Sequence, residues 1–536
     1  MPLATALFVL AATLSQPVVK TPLGVKIDDF MTRVERLGFS GALLVAKDGD
    51  VIVHKGYGKF SIDTLAPVGS ITKQFTAAAI LALEEEGKLR TTDPITKYFH
   101  DVPPDKQGIT LHHLLTHSAG FPGAIGDDYD PVGRDAFIKL AMGTKLEFTP
   151  GTSYEYSNVG YSLLGAIIEI VTGHPYERYL HDRLFVRAGM LHTGYVIPKW
   201  DRTKLAHGFR GGEDEGTFLD RPWAPDGPYW HLRANGGIIS TPADMYRWSL
   251  ALDGDKVLSA ASRKKLFTPY VREGNAPSSY AYGWAIYPLP NGHTIVMHNG
   301  GDGTFAADFR RYVDDGIVYY ITSNVSERPS IAVSKWIGRL ATGQGDVPMP
   351  PKVKTLTKEE LHKFEGTRDG MRFTANANGS VTAEPLTAEA FARLAPSPGA
   401  RAPMLAEATE HAKAVIDGIV ARDYKPLQTA FGGGRSLEEI TARQTRARQE
   451  LESKYGALKG ATIVGTRVER QDLATVVRLD FERGASYVVL MWGGPKNLVG
   501  LRLVDEMPGS VFYPVSATQL ASYDFTTGET LTLDLP

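Results

Sequence analysis

Pro67-Val68-Gly69-Ser70-Ile71-Thr72-Lys73-Gln74-Phe75-Thr76-Ala77-Ala78-Ala79-Ile80 is the stretch around which the rest of the chain arranges itself. Gly69 marks a turn that delivers Ser70 to the start of an Ala-rich helix, and Lys73 follows three residues later. Positions i and i+3 share a helix face, so the hydroxyl and the amine can touch. A serine is a poor nucleophile until a neighbouring base takes its proton. A lysine serves as that base only when burial or nearby cations lower its pKa. A helix start supplies amide N–H groups and a positive dipole end, which favour an oxyanion and disfavour an ammonium. The stretch reads as a candidate Ser-Lys hydrolase centre.

Working outward, 536 residues are too many for one ordinary domain, and two or three are expected. A hydrophobic fraction of 43% with 22% charged residues belongs to a globular protein rather than a disordered chain. Basic and acidic residues number 58 and 60, so neither nucleic acid nor an anionic membrane surface is an expected partner. The absence of cysteine excludes disulfides, thiol nucleophiles and thiolate metal sites. Leu3 to Leu14 is largely apolar, too short to span a bilayer and of signal-peptide length. Residues 1–16 are therefore expected to be a signal peptide, with export to the periplasm or beyond. No other segment reaches the ~20 apolar residues of a membrane helix.

The flanking segments supply a frame for the centre. Ile27 to Leu37 predicts an amphipathic helix, and Phe39–Ala46 with Val51–Gly58 predicts a hairpin turned by Asp48-Gly49. The Ser70 helix should run to about Glu86 and stop at Gly87. Leu111–Phe121 carries His112, His113 and His117. His113 and His117 have a zinc-compatible spacing, but no Glu follows His113, so a helix end is the expected reading. Tyr156 and Asn158, two apart in a polar loop before a helix over Tyr161–Val171, should both project into a cleft. Residues 210–230, rich in aromatics, are expected to wall that cleft. Thr241 should cap a helix starting at Pro242. His293–His298 predicts a strand ending in Asn299-Gly300-Gly301, followed by a hairpin around Asp314-Asp315-Gly316. VPMPP at 347–351 marks a linker, and 346–400 a linker or small β unit. Residues 401–536 predict two helices and then strands near 461–469, 473–482, 485–492 and 497–504. That helix-then-meander pattern is similar to a nuclear-transport-factor-like or cystatin-like cone.

Single motifs carry little weight, because the chain holds its own controls. Ser-x-x-Lys recurs at Ser262/Lys265 in a charged helix, and His-x-Gly occurs at His54, His192 and His298. Only one set falls in order: Ser70-x-x-Lys73, Tyr156-x-Asn158 and His298-x-Gly300. Together with GSITKQFTAAAI, LLTHSAGFP, YSNVGYSLLG, GGIISTPADM and HNGG, that set resembles the penicillin-recognising serine hydrolases. The match is to the branch with class C β-lactamases, family VIII esterases and D-aminopeptidase-like proteins, over about residues 25–340.

The resemblance implies an α/β (α+β) β-lactamase/transpeptidase-like fold over 25–345, an antiparallel sheet flanked by helices, plus the C-terminal α+β cone. It implies Ser70 as nucleophile, Lys73 as its base, and Tyr156 as a phenolate or shared proton carrier. Asn158 would bond the lysine and the substrate amide, and His298 would orient Tyr156 or a substrate carboxylate. Gly300 belongs to the same strand end, and the amides of Ser70 and Gly301 would form the oxyanion hole. No metal or organic cofactor is implied, and the partner is a small ester, amide or peptide. Two departures narrow the activity. Eleven residues separate Gly58 from Ser70, a short approach, and Lys-Thr/Ser-Gly is absent. A histidine carries less charge than the usual lysine at that place. An esterase or D-amino-acid peptidase is therefore expected. The alternatives are a β-lactamase, a penicillin-binding protein or a non-catalytic binding protein on the same fold.

Overall fold

The computed structural model describes residues 14–197, 199–210, 212–326, 330–394, 402–432, 436–469, 472–504 and 511–535. Most of the expected leader, residues 1–13, lies outside them, while Leu14 packs in a small cluster with Val18 and Leu44. The chain divides into two compact units, Met1–Met349 and Pro350–Pro536.

The first unit opens with β1 (Val18–Val19), α1 (Thr21–Arg36), β2 (Gly41–Lys47) and β3 (Asp50–Tyr57). α1 starts earlier than its apolar periodicity predicts, because Pro22 presets the first helical turn. Ile27, Phe30, Met31 and Val34 form its buried stripe. Next come α2 (Thr72–Glu85), α3 (Asn158–Thr172) and α4 (Pro242–Asp253). The strands β4 (Val271–Arg272), β5 (Ser279–Tyr280), β6 (Ala285–Pro288), β7 (Thr294–Gly301), β8 (Ala306–Tyr312) and β9 (Ile317–Ser323) follow, and α5 (Ser330–Thr342) closes the unit. One nine-stranded sheet runs β1-β3-β2-β9-β8-β7-β6-β5-β4, antiparallel throughout. α1 and α5 pack together against it, and Ala243 and Tyr246 of α4 meet Leu44 and Ala46 of β2.

α2 is buried at every position from Thr72 to Leu83, so its apolar-all-round sequence reflects a helix inside the core. Left-handed glycines at 87 and 173 (φ +68° each) stop α2 and α3. The predicted elements of this unit are all present, with ends shifted by a few residues.

In the second unit the helices Ala402–Ala421 and Leu437–Tyr455 precede a four-stranded meander: 458–469, 472–481, 484–492 and 498–504. Both faces of the meander are buried, and its residues alternate between them. Leu473, Val477, Leu479 and Phe481 face the helix side, whereas Ala474 and Val476 join Phe373 and Val381 of a six-stranded sheet. That second sheet combines the strands at 366–385 with those at 511–534 through the pairing of Val381–Thr382 with Val511–Phe512. The boundary expected at 400 therefore divides no sheet from another. A single β layer draws on both sides of it, which local periodicity does not reveal.

Candidate active site

Ser70 sits in a single 3-10 turn, Gly69–Ile71, that feeds directly into α2. Gly69 has φ +57°, and a Cβ there would lie 2.4 Å from the Gly301 nitrogen. A Cβ on Gly300 would lie 2.1 Å from the Val68 carbonyl oxygen and 2.6 Å from the Ser70 nitrogen. The nucleophile turn and the end of β7 thus interlock through bare backbone. This contact brings the amides of Ser70 and Gly301 to the same place.

Lys73 lies one turn into α2, completely buried, and its Nζ meets three acceptors. It donates to Asn158 Oδ1 at 2.7 Å and to the Asn235 carbonyl at 2.8 Å, and it meets Ser70 Oγ at 3.2 Å. Burial pushes its pKa well below the ordinary lysine value, with the charge of Asp128 acting the other way. A neutral amine has two N–H groups and one lone pair. The two fixed acceptors take the N–H groups, so the lone pair is left for the Ser70 proton. The second Ser-x-x-Lys behaves differently: Lys265 pairs with Glu84 at 2.8 Å, and the Ser262 amide is used in capping its own short helix.

Asn158 is the first residue of α3, with Ser157 as N-cap, rather than part of the extended loop the sequence suggests. Tyr156 does lie in that loop. Its hydroxyl is buried and has no hydrogen-bond partner among the described residues. Burial pushes the phenol pKa up, and the Ser70 hydroxyl beside it acts in the opposite direction. A resting phenolate, one of the two expected forms, is disfavoured in this setting. The Lys73 Nζ lies 4.7 Å from the Tyr156 ring centre.

The expectation for His298 requires correction. Its Nδ1 donates to the Asn299 carbonyl at 2.6 Å, and its Nε2 accepts from the Tyr280 hydroxyl at 2.8 Å. Burial and then the Lys73 charge lower its pKa to about 3. The ring is neutral and both nitrogens are occupied. It has neither a hydrogen bond for Tyr156 nor a positive charge for a substrate carboxylate.

Several contributors escaped the sequence reading. His117, considered there only for zinc spacing, holds the Tyr156 segment from both sides. Its carbonyl accepts from Glu155 N at 3.0 Å, and its Nδ1 accepts from Ser157 N, also at 3.0 Å. The imidazole centre lies 4.3 Å from that of Tyr156. Burial holds it neutral, and its own backbone is left-handed, φ +58°. His113 is committed elsewhere, to the cap at Thr110. Asn235 supplies the carbonyl that fixes Lys73, while its amide bonds Ser162 Oγ and the His231 carbonyl, both at 2.8 Å. The only hint in sequence is the density of small residues in Ala234-Asn235-Gly236-Gly237. The cleft over Ser70 is further lined by Asp128, Tyr129, Phe218, Asp302 and Phe305. Phe218 comes from the aromatic 210–230 stretch, where Trp223 packs behind it at 5.4 Å between ring centres.

Comparison with known proteins agrees with this arrangement. A protein of Bacillus subtilis (strain 168) named "Putative penicillin-binding protein PbpX" is 34% identical over 277 residues, covering 50% of this chain and 66% of that one. The chain thus spans just under two thirds of that relative. Penicillin-binding protein 4* of the same organism is 28% identical over 351 residues, covering 61% of this chain and 77% of its own. The octameric penicillin-binding protein homologue of Pyrococcus abyssi superposes over 96% of this chain and 95% of its own, with TM-score 0.55 and 20% identity, a likeness of fold. Residues 26–344 match the Beta-lactamase family, and with the Ser70 and Lys73 geometry in its expected place, the chain belongs to that family.

Proposed function

We propose that the protein is a serine hydrolase that cleaves an ester or amide through an acyl-Ser70 intermediate, as an esterase or a D-amino-acid peptidase. The observation that carries this reading is the buried Lys73 amine, held by two fixed acceptors and directed at Ser70 Oγ. Lys73 accepts the hydroxyl proton while Oγ bonds to the substrate carbonyl carbon. The negative charge moves onto the carbonyl oxygen, where the Ser70 and Gly301 amides stabilise it. The C–O or C–N bond to the leaving group then breaks. That group takes the proton from Lys73, directly or through the Tyr156 hydroxyl. Water repeats the sequence on the acyl-enzyme, giving its proton to the same pair and releasing the acid.

The neutral, fully bonded His298 supports an esterase or peptidase over a penicillinase, because a β-lactam carboxylate finds no cation there. Export, expected from residues 1–16, remains part of the proposal and is tested by N-terminal sequencing of protein recovered outside the cytoplasm. The function itself is tested by intact-mass measurement after treatment with a fluorophosphonate. One adduct, mapped to Ser70 and lost in Ser70→Ala, is expected. A folded protein that gains no adduct refutes the acyl-serine reading.

A further inference from the structure

Gly301, whose amide meets that of Ser70, is the last residue of β7, and the chain turns at once through Asp302–Phe305 into β8. The turn is closed from within. The Asp302 amide donates to the Phe305 carbonyl at 3.1 Å, and Asp302 Oδ1 accepts from the amides of Thr304 (2.9 Å) and Phe305 (2.7 Å). These bonds fix the shape of the turn, and its outer face is held by a separate segment.

That segment is a hairpin of His207–Arg210 with Glu213–Thr217. Gly208 lets it come close: a Cβ there would lie 2.5 Å from Thr304 Cγ2 and 3.1 Å from Phe305 Cε2. Thr304 is buried, and charged groups serve its hydroxyl both as acceptor and as donor. Oγ1 donates to Glu215 Oε2 at 2.5 Å and accepts from Arg210 Nη2 at 2.9 Å. The same carboxylate accepts from Arg210 Nε at 2.8 Å and from Arg221 Nη2 at 3.2 Å. The Thr304 bond, and after it the two arginines, hold the Glu215 carboxyl below the usual range, against some burial. Bonds with one charged partner are shorter and stronger than neutral ones, so the hydroxyl has little freedom to drift. The hairpin is in turn fixed to the main sheet. The Phe209 amide donates to the carbonyl of Asn324, just past β9, at 2.8 Å, and the Phe209 carbonyl accepts from Ser326 N at 3.0 Å.

We propose that Thr304, Glu215 and Arg210 are positioning residues for the oxyanion site, an ionic brace that holds the Gly301 amide in line with that of Ser70. None of the three is among the described residues that line the cleft, so they act through Gly301. The inference rests on Ser70 being the nucleophile and adds residues that serve the same step.

The test is fluorophosphonate labelling of Ser70, separated into reagent affinity (KI) and maximal rate (kinact), with a thermal melt alongside. Thr304→Val keeps the side-chain shape and removes both bonds. It should lower kinact by about tenfold and leave KI within about twofold, because a drift well under 1 Å costs less than the ~10²-fold of a full ångström. Thr304→Ser restores the hydroxyl and should return kinact to within about twofold of wild type. Glu215→Ala should cost about as much as Thr304→Val and add little on top of it, since both break one network. Arg210 and Glu215 are partly exposed, so the wild-type kinact should fall as salt rises, while that of Thr304→Val should not. A brace that only stabilised the fold would lower the melting temperature and leave kinact alone. A folded Thr304→Val protein with wild-type kinact, or losses in the two variants that simply add, overturns the proposal. If Thr304→Val does not fold, Glu215→Gln makes the same comparison, and a wild-type kinact there overturns the brace. A wild-type protein whose Ser70 is labelled while these variants behave like it loses the brace alone. Failure of wild-type Ser70 to be labelled overturns the nucleophile reading as well.

Discussion

Gly300→Ala is the sharpest probe of the contact that builds the catalytic centre. The new methyl would sit 2.1 Å from the Val68 carbonyl oxygen and 2.6 Å from the Ser70 nitrogen, and ordinary contact begins near 3.4 Å. Both neighbours are backbone and cannot rotate away. The end of β7 and the nucleophile turn must therefore part by about 1.3 Å, the difference between 2.1 and 3.4 Å. Such a shift takes the Gly301 amide out of line with the Ser70 amide. Misplacement on the order of 1 Å costs about 10²-fold, and full loss of one oxyanion donor about 10²–10³-fold. The overpacking itself should cost about 1–3 kcal/mol of stability, leaving the unit folded. The assay is the second-order rate of fluorophosphonate labelling at Ser70, which requires no knowledge of the natural substrate, with a thermal melt alongside. Gly108→Ala, whose new methyl would meet open space, is the control and should label at the wild-type rate. A folded Gly300→Ala protein labelled within about threefold of wild type would show that this strand end does not shape the oxyanion site.

Other consequences can be measured on the same protein. Tyr156→Phe should lower turnover by about 10²–10⁴ through loss of the proton carrier. It should leave the melting temperature nearly unchanged, because among the described residues the buried hydroxyl has only the Ser70 hydroxyl beside it; a destabilised but active variant would reverse that assignment. On the proposed mechanism Lys73 works unprotonated, and burial lowers its pKa, so kcat/KM should rise with pH and level off below the ordinary lysine value of about 10.4. His298, with a pKa near 3, is neutral over the working range, so His298→Gln should not move the midpoint of that limb. A midpoint at or above the ordinary lysine value would sink the neutral-amine reading. His117→Phe keeps a ring against Tyr156 but leaves the Ser157 amide without its acceptor. It should cost about 1–3 kcal/mol and reduce kcat more than it changes KM; steady-state kinetics with unchanged kcat would remove His117 from any positioning role.

Much of the fold and part of the site were legible in the chain, and the division follows the range of the interactions. The i,i+3 spacing of Ser70 and Lys73, the glycine stops at 87 and 173, the Thr241 cap and the alternation along 473–481 are local matters of φ/ψ and periodicity. One residue's neighbours are enough to set them, so the sequence alone determined the helix that carries the nucleophile, the strand behind His298 and the class of chemistry. The tertiary structure decided the rest. The Lys73 bond to the Asn235 carbonyl joins residues 162 apart in sequence, and the hold of His117 on Ser157 spans 40. No period or spacing encodes such contacts, because they exist only after the loops close. Protonation is decided in the same way. The Lys73 pKa is lowered and His298 is a neutral, occupied ring because of how much of the whole chain surrounds each, and burial is a property of the packed protein rather than of any segment.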